Sequence, residues 1–391
     1  METILLDLDT HDVNSLILEP AFQYDNIWQR TNKVYKIVLG KSKYRMTHLN
    51  EPSNNLQPKS PCKNWNPTVT FGLRPDEIAA CEYELNGEQC LDEFDQGCLR
   101  NLKDAADTVT KDPGAKINAI ELAMAMQLRR GVANDAYKVG WFSDPDFRTD
   151  VANGVYDLSA MSVGEKEKMI AMMEHCSGWF NELIARTSET DRFGKVRLVN
   201  ANDGTASGNA LNPSNIVGFL DDMISNSDPI LRFWNRRKPQ SEWPFFMLTP
   251  DLFTALLEYY RSIGQYDQRS FYMDGLAVPG MTTFNGYPVM EVPEWLMFDV
   301  ETGSMLTSGA YSGKSKKQRA LFIAKENLVA LAHARSLEGD FAGSSFVIQK
   351  SPVLKDKGVR YMYGAWGMGF GVAQPVLVTL GLNSSTSYVN A

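Results

Sequence analysis

Four consecutive apolar residues, Phe245-Phe246-Met247-Leu248, run directly into Thr249-Pro250-Asp251. A short apolar run bounded by a turn signal suits a buried strand, and Thr-Pro is an N-cap followed by proline at the first helical position. The segment therefore predicts a strand feeding a helix that carries Leu252, Phe253, Leu256, Leu257 and Tyr260, with Gly264 as its stop. Asn285-Gly286 then predicts a turn before a strand through Tyr287-Pro288-Val289-Met290-Glu291-Val292. Further on, Ala320–Ala324 and Leu328–Leu331 flank the turn Lys325-Glu326-Asn327, and Val359–Gly364 and Gly371–Val378 close the series. Few folds accept this order of elements.

The preceding half supplies helices. One is predicted from about Lys116 to Tyr137, with Ile117, Ile120, Met124 and Leu128 on one stripe. Ser162 and Glu165 have capping-box spacing, and behind them Met169, Met172, Met173, Cys176, Trp179, Phe180, Leu183 and Ile184 form a wide apolar face. The methionines could line a pliable groove, but core packing explains them better. Asn212-Pro213 predicts another start, leading into Ile216, Phe219, Leu220, Met223 and Ile224. Strands and helices alternate without a repeat, which gives a mixed α+β fold and removes solenoids and propellers.

Charge is distributed unevenly. Residues 31–50 hold Lys33, Lys36, Lys41, Lys43 and Arg45 and no acid, while residues 76–112 hold eleven acids, among them Glu82, Glu84, Glu88, Asp92 and Glu93. Opposite blocks this close either pair within one chain or pair between subunits, and the residues alone leave both open. The basic block also reads as strand, Val34–Leu39 with a turn at Gly40-Lys41-Ser42, and Thr68–Phe71 reads as a return. Such an excursion, with the polar stretch Asn50–Pro67 at its tip, needs an outside surface to be stable.

Composition excludes more than it identifies. The formal charge of −8 does not advertise nucleic-acid affinity, which needs clustered Lys and Arg. No stretch reaches the ~20 apolar residues of a membrane span, and acids stand where a secretory leader would be basic. Five cysteines are an odd number; Cys81, Cys90 and Cys98 lack the spacing of zinc knuckles, so reduced thiols packed as small hydrophobes are expected. Four histidines, His11, His48, His175 and His333, stand singly, and no metal or cofactor is expected.

Several motifs imitate chemistry. Asp7-Leu8-Asp9-Thr10 looks like a dehalogenase-type nucleophile motif, but His11 stands where Thr or Val belongs, so an acidic, mobile arm is expected. Gly313-Lys314-Ser315 has Ser308 in place of the first P-loop glycine, and Gly40-Lys41-Ser42 has Tyr35 there. Both are expected to be exposed turns. Gly367-Met368-Gly369-Phe370-Gly371 alternates with period two, which suits a strand approached closely by another backbone. Sequential His175 and Cys176 point about 100° apart on a helix and make no dyad. The basic spots Arg236-Arg237-Lys238 and Lys314-Lys316-Lys317-Arg319 read as solvated loops. No catalytic residue emerges.

From Phe245 to Leu380, and more loosely over the whole chain, the order of elements resembles the major capsid proteins of tailed bacteriophages, the HK97-like fold. The resemblance implies an N-terminal arm (1–30), an extended β-hairpin loop (31–75), a peripheral domain (76–162 and 339–391) and an inserted axial domain (163–338). It implies a non-enzymatic head subunit that assembles with itself as pentamers and hexamers around double-stranded DNA, without sequence-specific binding and without a membrane. Portal, scaffolding and decoration proteins are the partners implied, and the place of action is the virion, assembled in the host bacterial cytoplasm. It favours pairing of Lys33, Lys36, Lys41, Lys43 and Arg45 with acids of a neighbouring subunit, Glu82, Glu84, Glu88, Asp92 and Glu93 first. An encapsulin-type compartment shell is the alternative with the same fold. A soluble hydrolase is the alternative of another class, and it lacks any complete nucleophile–base–oxyanion set.

Overall fold

The structure, a computed structural model, describes residues 4–14, 18, 34–49, 73–90, 119–154, 156–200, 211–234, 243–265, 271–273, 276–302, 318–338, 342–350 and 359–382. The chain starts with β1 (Ile4–Leu8), the short helix α1 (Thr10–Val13) and β2 (Tyr35–Leu39). β3 (Lys43–Leu49) and β4 (Leu73–Ala79) follow, and β5 (Cys81–Cys90) is separated from β4 by the single residue Ala80. Next come α2 (Ala119–Phe142), α3 (Phe147–Ala152), α4 (Val163–Glu174), α5 (Trp179–Ala185), β6 (Arg197–Asn200), α6 (Ile216–Asn226) and α7 (Pro229–Trp234). Then β7 (Phe245–Leu248), α8 (Pro250–Ser262), β8 (Phe271–Met273), β9 (Leu276–Val278), β10 (Met281–Phe284), β11 (Tyr287–Glu291) and α9 (Pro293–Glu301). The last strands are β12 (Arg319–Ile323), β13 (Leu328–Ala334), β14 (Phe346–Lys350), β15 (Val359–Val372) and β16 (Val378–Leu382). The fold is α+β, as the alternation of patterns predicts.

The apolar runs form a sheet buried on both faces, in the order β10-β11-β7-β12-β16-β6. Successive strand residues point to opposite faces, so one run feeds two cores. Phe246, Leu248, Ala320 and Phe322 pack with Phe219, Leu220, Leu252 and Leu256 of α6 and α8. Phe245, Met247, Leu321 and Ile323 join the other core, with Trp295 and Phe298 of α9. The β10–β11 turn is Asn285-Gly286, with φ of 49° and 83°. A two-residue turn with both central residues left-handed matches the twist of the paired strands, and Asn-Gly is the pair that adopts it most readily.

The second sheet is organised by β15. β14 and then β13 line one of its edges, β5 takes the other, and β1 and β2 extend the sheet beyond β14 and β13. Trp366, Met368, Phe370 and Val372 enter the core that holds Trp295 and Phe298, while the intervening residues Gly367, Gly369 and Gly371 face away. On the core side Trp179 donates its indole N–H to the carbonyls of Val329 and Gly371, 3.1 Å each, and stacks on Tyr35 at 4.8 Å. Trp141 then meets Trp179, Phe180 and Trp295, which ties α2, α5 and α9 together.

Several local expectations hold. Glu165 N–H donates to Ser162 Oγ at 3.4 Å, Ser162 N–H donates to Glu165 Oε2 at 3.0 Å, and α4 starts there. Gly264 ends α8 with a left-handed φ of 72°. Others are corrected. The expected long apolar helix is two helices, α4 and α5, because the chain crosses α2 at Gly178, where a Cβ would lie 2.8 Å from the Val139 carbonyl oxygen. Helix α6 starts at Ile216, after a turn in which Asn212 accepts from Ser214 N–H at 2.9 Å. The first expected C-terminal segment extends into a 14-residue strand, β15, while the second, Gly371–Val378, breaks after Val372 into a 3₁₀ turn at Pro375–Leu377 that leads into β16.

The expected arm at 1–30 is not loose where it is described: β1 pairs antiparallel with β14, and Val13 and Leu18 are fully buried. Asp9 accepts from Asp12 N–H at 2.8 Å and opens α1, which gives the Asp-Leu-Asp motif a capping role. The excursion begins later than 31, since β2 lies in the large sheet, parallel to β13, and only β3 and β4 form the hairpin. The expected division at 338 and 339 does not follow the sheets. β13 belongs with β14 and β15, while β16 returns to β12. Arg319 is no solvated loop residue: it binds Asp299 through two hydrogen bonds of 2.9 and 2.7 Å, with both side chains 1% exposed. Its guanidinium sits 5.0 Å from the Phe142 ring and 5.5 Å from the Phe180 ring. Arg236-Arg237-Lys238 and Gly313-Lys314-Ser315 lie outside the described residues.

Candidate assembly surface at the hairpin root

Among the described residues β3 and β4 pair only with each other, in register Lys43↔Ala79, Arg45↔Glu77 and Leu49↔Leu73. The alternation of period two puts Lys43 and Arg45 on one side and Tyr44 and Met46 on the other. Met46 and Ile78 are buried and form a small third core with Val329 and Leu331 on the outer face of the β15 sheet.

The glycine stripe makes this seat possible. A Cβ at 369 would stand 2.6 Å from the Ala79 carbonyl oxygen, and one at 371 would stand 2.5 Å from Ile78 Cδ1. A side chain at 369 would therefore lift the β4–β5 junction off the sheet, while one at 371 would press on the Ile78 side chain. At 367 a Cβ would run into the His333 ring, which is partly buried beside it. Burial lowers the His333 pKa, Glu82 opposes the change and Arg335 adds to it. The Ala80 amide donates to the Ser42 carbonyl at 2.9 Å, which closes the base of the hairpin.

Two further ties hold the root. Arg186 of the 3₁₀ turn after α5 reaches Asp76 at 2.9 Å and Glu182 at 2.7 Å. Cys81 and Cys176 form a disulfide, with Cα atoms 5.9 Å apart. This corrects the expectation of free buried thiols. Spacing could not reveal it, because the two lie 95 residues apart and are joined only by the packing of β5 against the α4–α5 corner. Beside the bond lies a partly open cavity of about 220 Å³, lined by Met46, Asp76, Ile78, Arg186 and Phe370 among others.

The structure places the charged candidates as follows. Lys43 and Arg45 reach Glu77 of their own chain, at 3.1 and 3.0 Å. Arg45, then Lys43, hold the Glu77 carboxyl below the usual carboxylate range. Glu77 belongs to the acidic block, and its register opposite Arg45 becomes visible only once the hairpin pairs. Lys36 donates to the Tyr44 hydroxyl at 2.7 Å, and Lys41 is exposed in the turn at Gly40, where φ is 73°. Glu82 binds Arg335, and its carbonyl lies 2.8 Å from His175 Nε2. Glu84 is exposed on β5 opposite Ala365, and Glu88 pairs in register with Tyr361. Lys33, Asp92 and Glu93 lie outside the described residues. Among the described residues none of these cations pairs with Glu82 or Glu84.

Among the described residues, no three His, Cys, Asp or Glu side chains are grouped to hold a metal ion, and no helix is long and apolar enough to cross a membrane. No family model and no curated protein sequence matches the chain. Among solved structures it is similar to the capsid of a native GTA particle, at 9% identity and a TM-score of 0.44, over 92% of this chain and 94% of that one. It is similar to the mature capsid of bacteriophage PhiM1, at 12% identity and a TM-score of 0.44, over 93% and 88%. It is also similar to a holo encapsulin complex from Synechococcus elongatus PCC 7942, at 11% identity and a TM-score of 0.41, over 90% of this chain and 85% of that one.

Proposed function

We propose that this chain is a shell-forming subunit of the HK97-like kind, the major head protein of a tailed phage, and not an enzyme. One observation carries the reading. A two-stranded hairpin stands outside both large sheets, carries Lys43, Arg45 and Glu77 on one side, and among the described residues is tied to the body at its root. Two strands alone are marginally stable in water, so a hairpin held this firmly at one end has its remaining surface available to another molecule. A neighbouring copy is the natural occupant, because a contact repeated around a ring stabilises every subunit at once.

In this reading pentamers and hexamers close into an icosahedral shell around double-stranded DNA. The net charge of −8 suits a wall that encloses DNA without gripping it. The β15 sheet with α2, α4 and α5 serves as the peripheral domain, and the β7 sheet with α6 and α8 as the axial one. Lys33, Lys36 and Lys41 meet carboxylates of the adjacent subunit, with Glu84, Glu88, Asp92 and Glu93 as partners, while Lys43 and Arg45 stiffen the hairpin through Glu77. Portal, scaffolding and decoration proteins join the assembly in the host cytoplasm.

Sedimentation of the purified protein tests this. Capsomers, sheets or shells of megadalton mass are expected, and a single species below hexamer mass at every salt and protein concentration overturns it. The ratio of nucleic-acid to protein absorbance in isolated particles separates a DNA-filled head from a cargo-protein compartment.

A further inference from the structure

Cys81 opens β5 directly after Ala80, where the hairpin passes into the large sheet, and Cys176 lies in the corner between α4 and α5. The bond thus joins the pivot of the hairpin to the helical side of the body. Other ties at this point include the pairing of Cys81 with Met368 of β15, the Arg186–Asp76 ion pair, the Ala80–Ser42 hydrogen bond and the small apolar seat of Met46 and Ile78. Cys176 is 5% exposed, Cys81 is half-buried, and both line the partly open cavity of about 220 Å³ beneath the hairpin. A small thiol or disulfide therefore has a route to the sulfurs that does not require the body to unfold.

We propose that Cys81–Cys176 is a redox-operated latch on the hairpin root. The thiolate of Cys81, the more accessible of the two, attacks a small-molecule disulfide such as oxidised glutathione. A mixed disulfide forms and one glutathione leaves, taking a proton. The thiolate of Cys176 then attacks the Cys81 sulfur of that mixed disulfide, the intramolecular bond forms and the second glutathione leaves protonated. Two thiols are oxidised and one glutathione disulfide is reduced. Closing the latch fixes the angle at which the hairpin leaves the body, and reduced glutathione or dithiothreitol reverses it. The latch is a property of the folded subunit and holds whether or not shells form.

The test exposes reduced full-length protein to oxidised glutathione and maps disulfides in a non-reduced digest, with amide exchange followed in both redox states. A peptide linked through Cys81 and Cys176 should appear and vanish again with dithiothreitol. Amides from Asp76 to Ala80 should exchange at least tenfold faster in the reduced protein, while those of Leu321 to Ile323 stay unchanged. Cys81→Ala and Cys176→Ala should both exchange at the reduced rate under either condition. Failure to obtain the linked peptide, or equal exchange at the hairpin root in both redox states, overturns the proposal.

Discussion

Replacing Gly369 by alanine would place a methyl carbon 2.6 Å from the Ala79 carbonyl oxygen, 3.1 Å from the Ala79 carbonyl carbon and 3.2 Å from Ala80 Cα. Comfortable carbon contacts lie at about 3.5–4.0 Å, so the β4–β5 junction would have to retreat. It has little freedom to do so, being held by the Ala80–Ser42 hydrogen bond of 2.9 Å and the disulfide at Cys81. Overpacking of this kind costs about 1–3 kcal/mol. Gly371→Ala meets the Ile78 side chain, Cδ1 at 2.5 Å and Cγ1 at 2.7 Å, rather than backbone, and should cost less. Gly218 in α6 provides the control, since nothing lies within 4 Å of a Cβ there. Alanine at that helical position should add about 0.5–1 kcal/mol. Denaturant unfolding of dissociated subunits, followed by tryptophan fluorescence, should therefore separate Gly369→Ala from Gly218→Ala by about 1.5–4 kcal/mol. A Gly369→Ala midpoint at or above wild type, with Gly218→Ala behaving as expected, would refute the claim that the hairpin root sits on the glycine stripe.

Breaking the buried pair by Arg319→Met or Asp299→Leu should each cost about 3–5 kcal/mol in the same assay, and the double variant should recover most of it; additive losses would show that the pair does not act as a unit. The Glu77 carboxyl, its folded pKa depressed by Arg45 and Lys43, contributes above the ordinary carboxylate range, and that contribution is lost as pH falls through the folded value. A carbon-detected titration should find its midpoint below that of an exposed glutamate and see it rise in Arg45→Gln; an ordinary midpoint in wild type would remove the pairing from solution. Lys43→Glu with Arg45→Glu should loosen the hairpin in dissociated subunits, whereas Lys41→Glu should leave the subunit intact and impair assembly. The reverse pattern would assign the cross-subunit contact to Lys43 and Arg45.

What the sequence revealed was mostly local. Phe245–Leu248 and Ala320–Ile323 declared themselves because strands covered on both faces must be apolar at every position. The capping box at Ser162, Thr249-Pro250 and Asn285-Gly286 are decided within a few residues, and the glycine alternation of 367–371 announced a close approach without saying by what. Non-local relations stayed hidden. Nothing near Tyr35–Leu39 says that it pairs in parallel with Leu328–Ala332, almost three hundred residues on, so the residues alone assign β2 to the hairpin. Arg319 looked solvated among neighbouring lysines because its partner, Asp299, is on a different element. The disulfide was invisible for the same reason, as five cysteines and no short spacing favour no particular pairing. At the candidate surface the cations were found and Glu77 was missed, since only strand register selects it from eleven acids.

The central claim, that this chain builds a closed shell through a hairpin laid on its neighbour, is tested most directly by electron cryo-microscopy of the purified, concentrated protein. The account predicts closed particles with fivefold and sixfold capsomers, with the hairpin root seated on its own β15 sheet at Met46 and Ile78 and density for the hairpin beyond that root running on to an adjacent subunit. Discrete small oligomers without closed particles, or particles in which the hairpin beyond its root meets no neighbouring subunit, would contradict it.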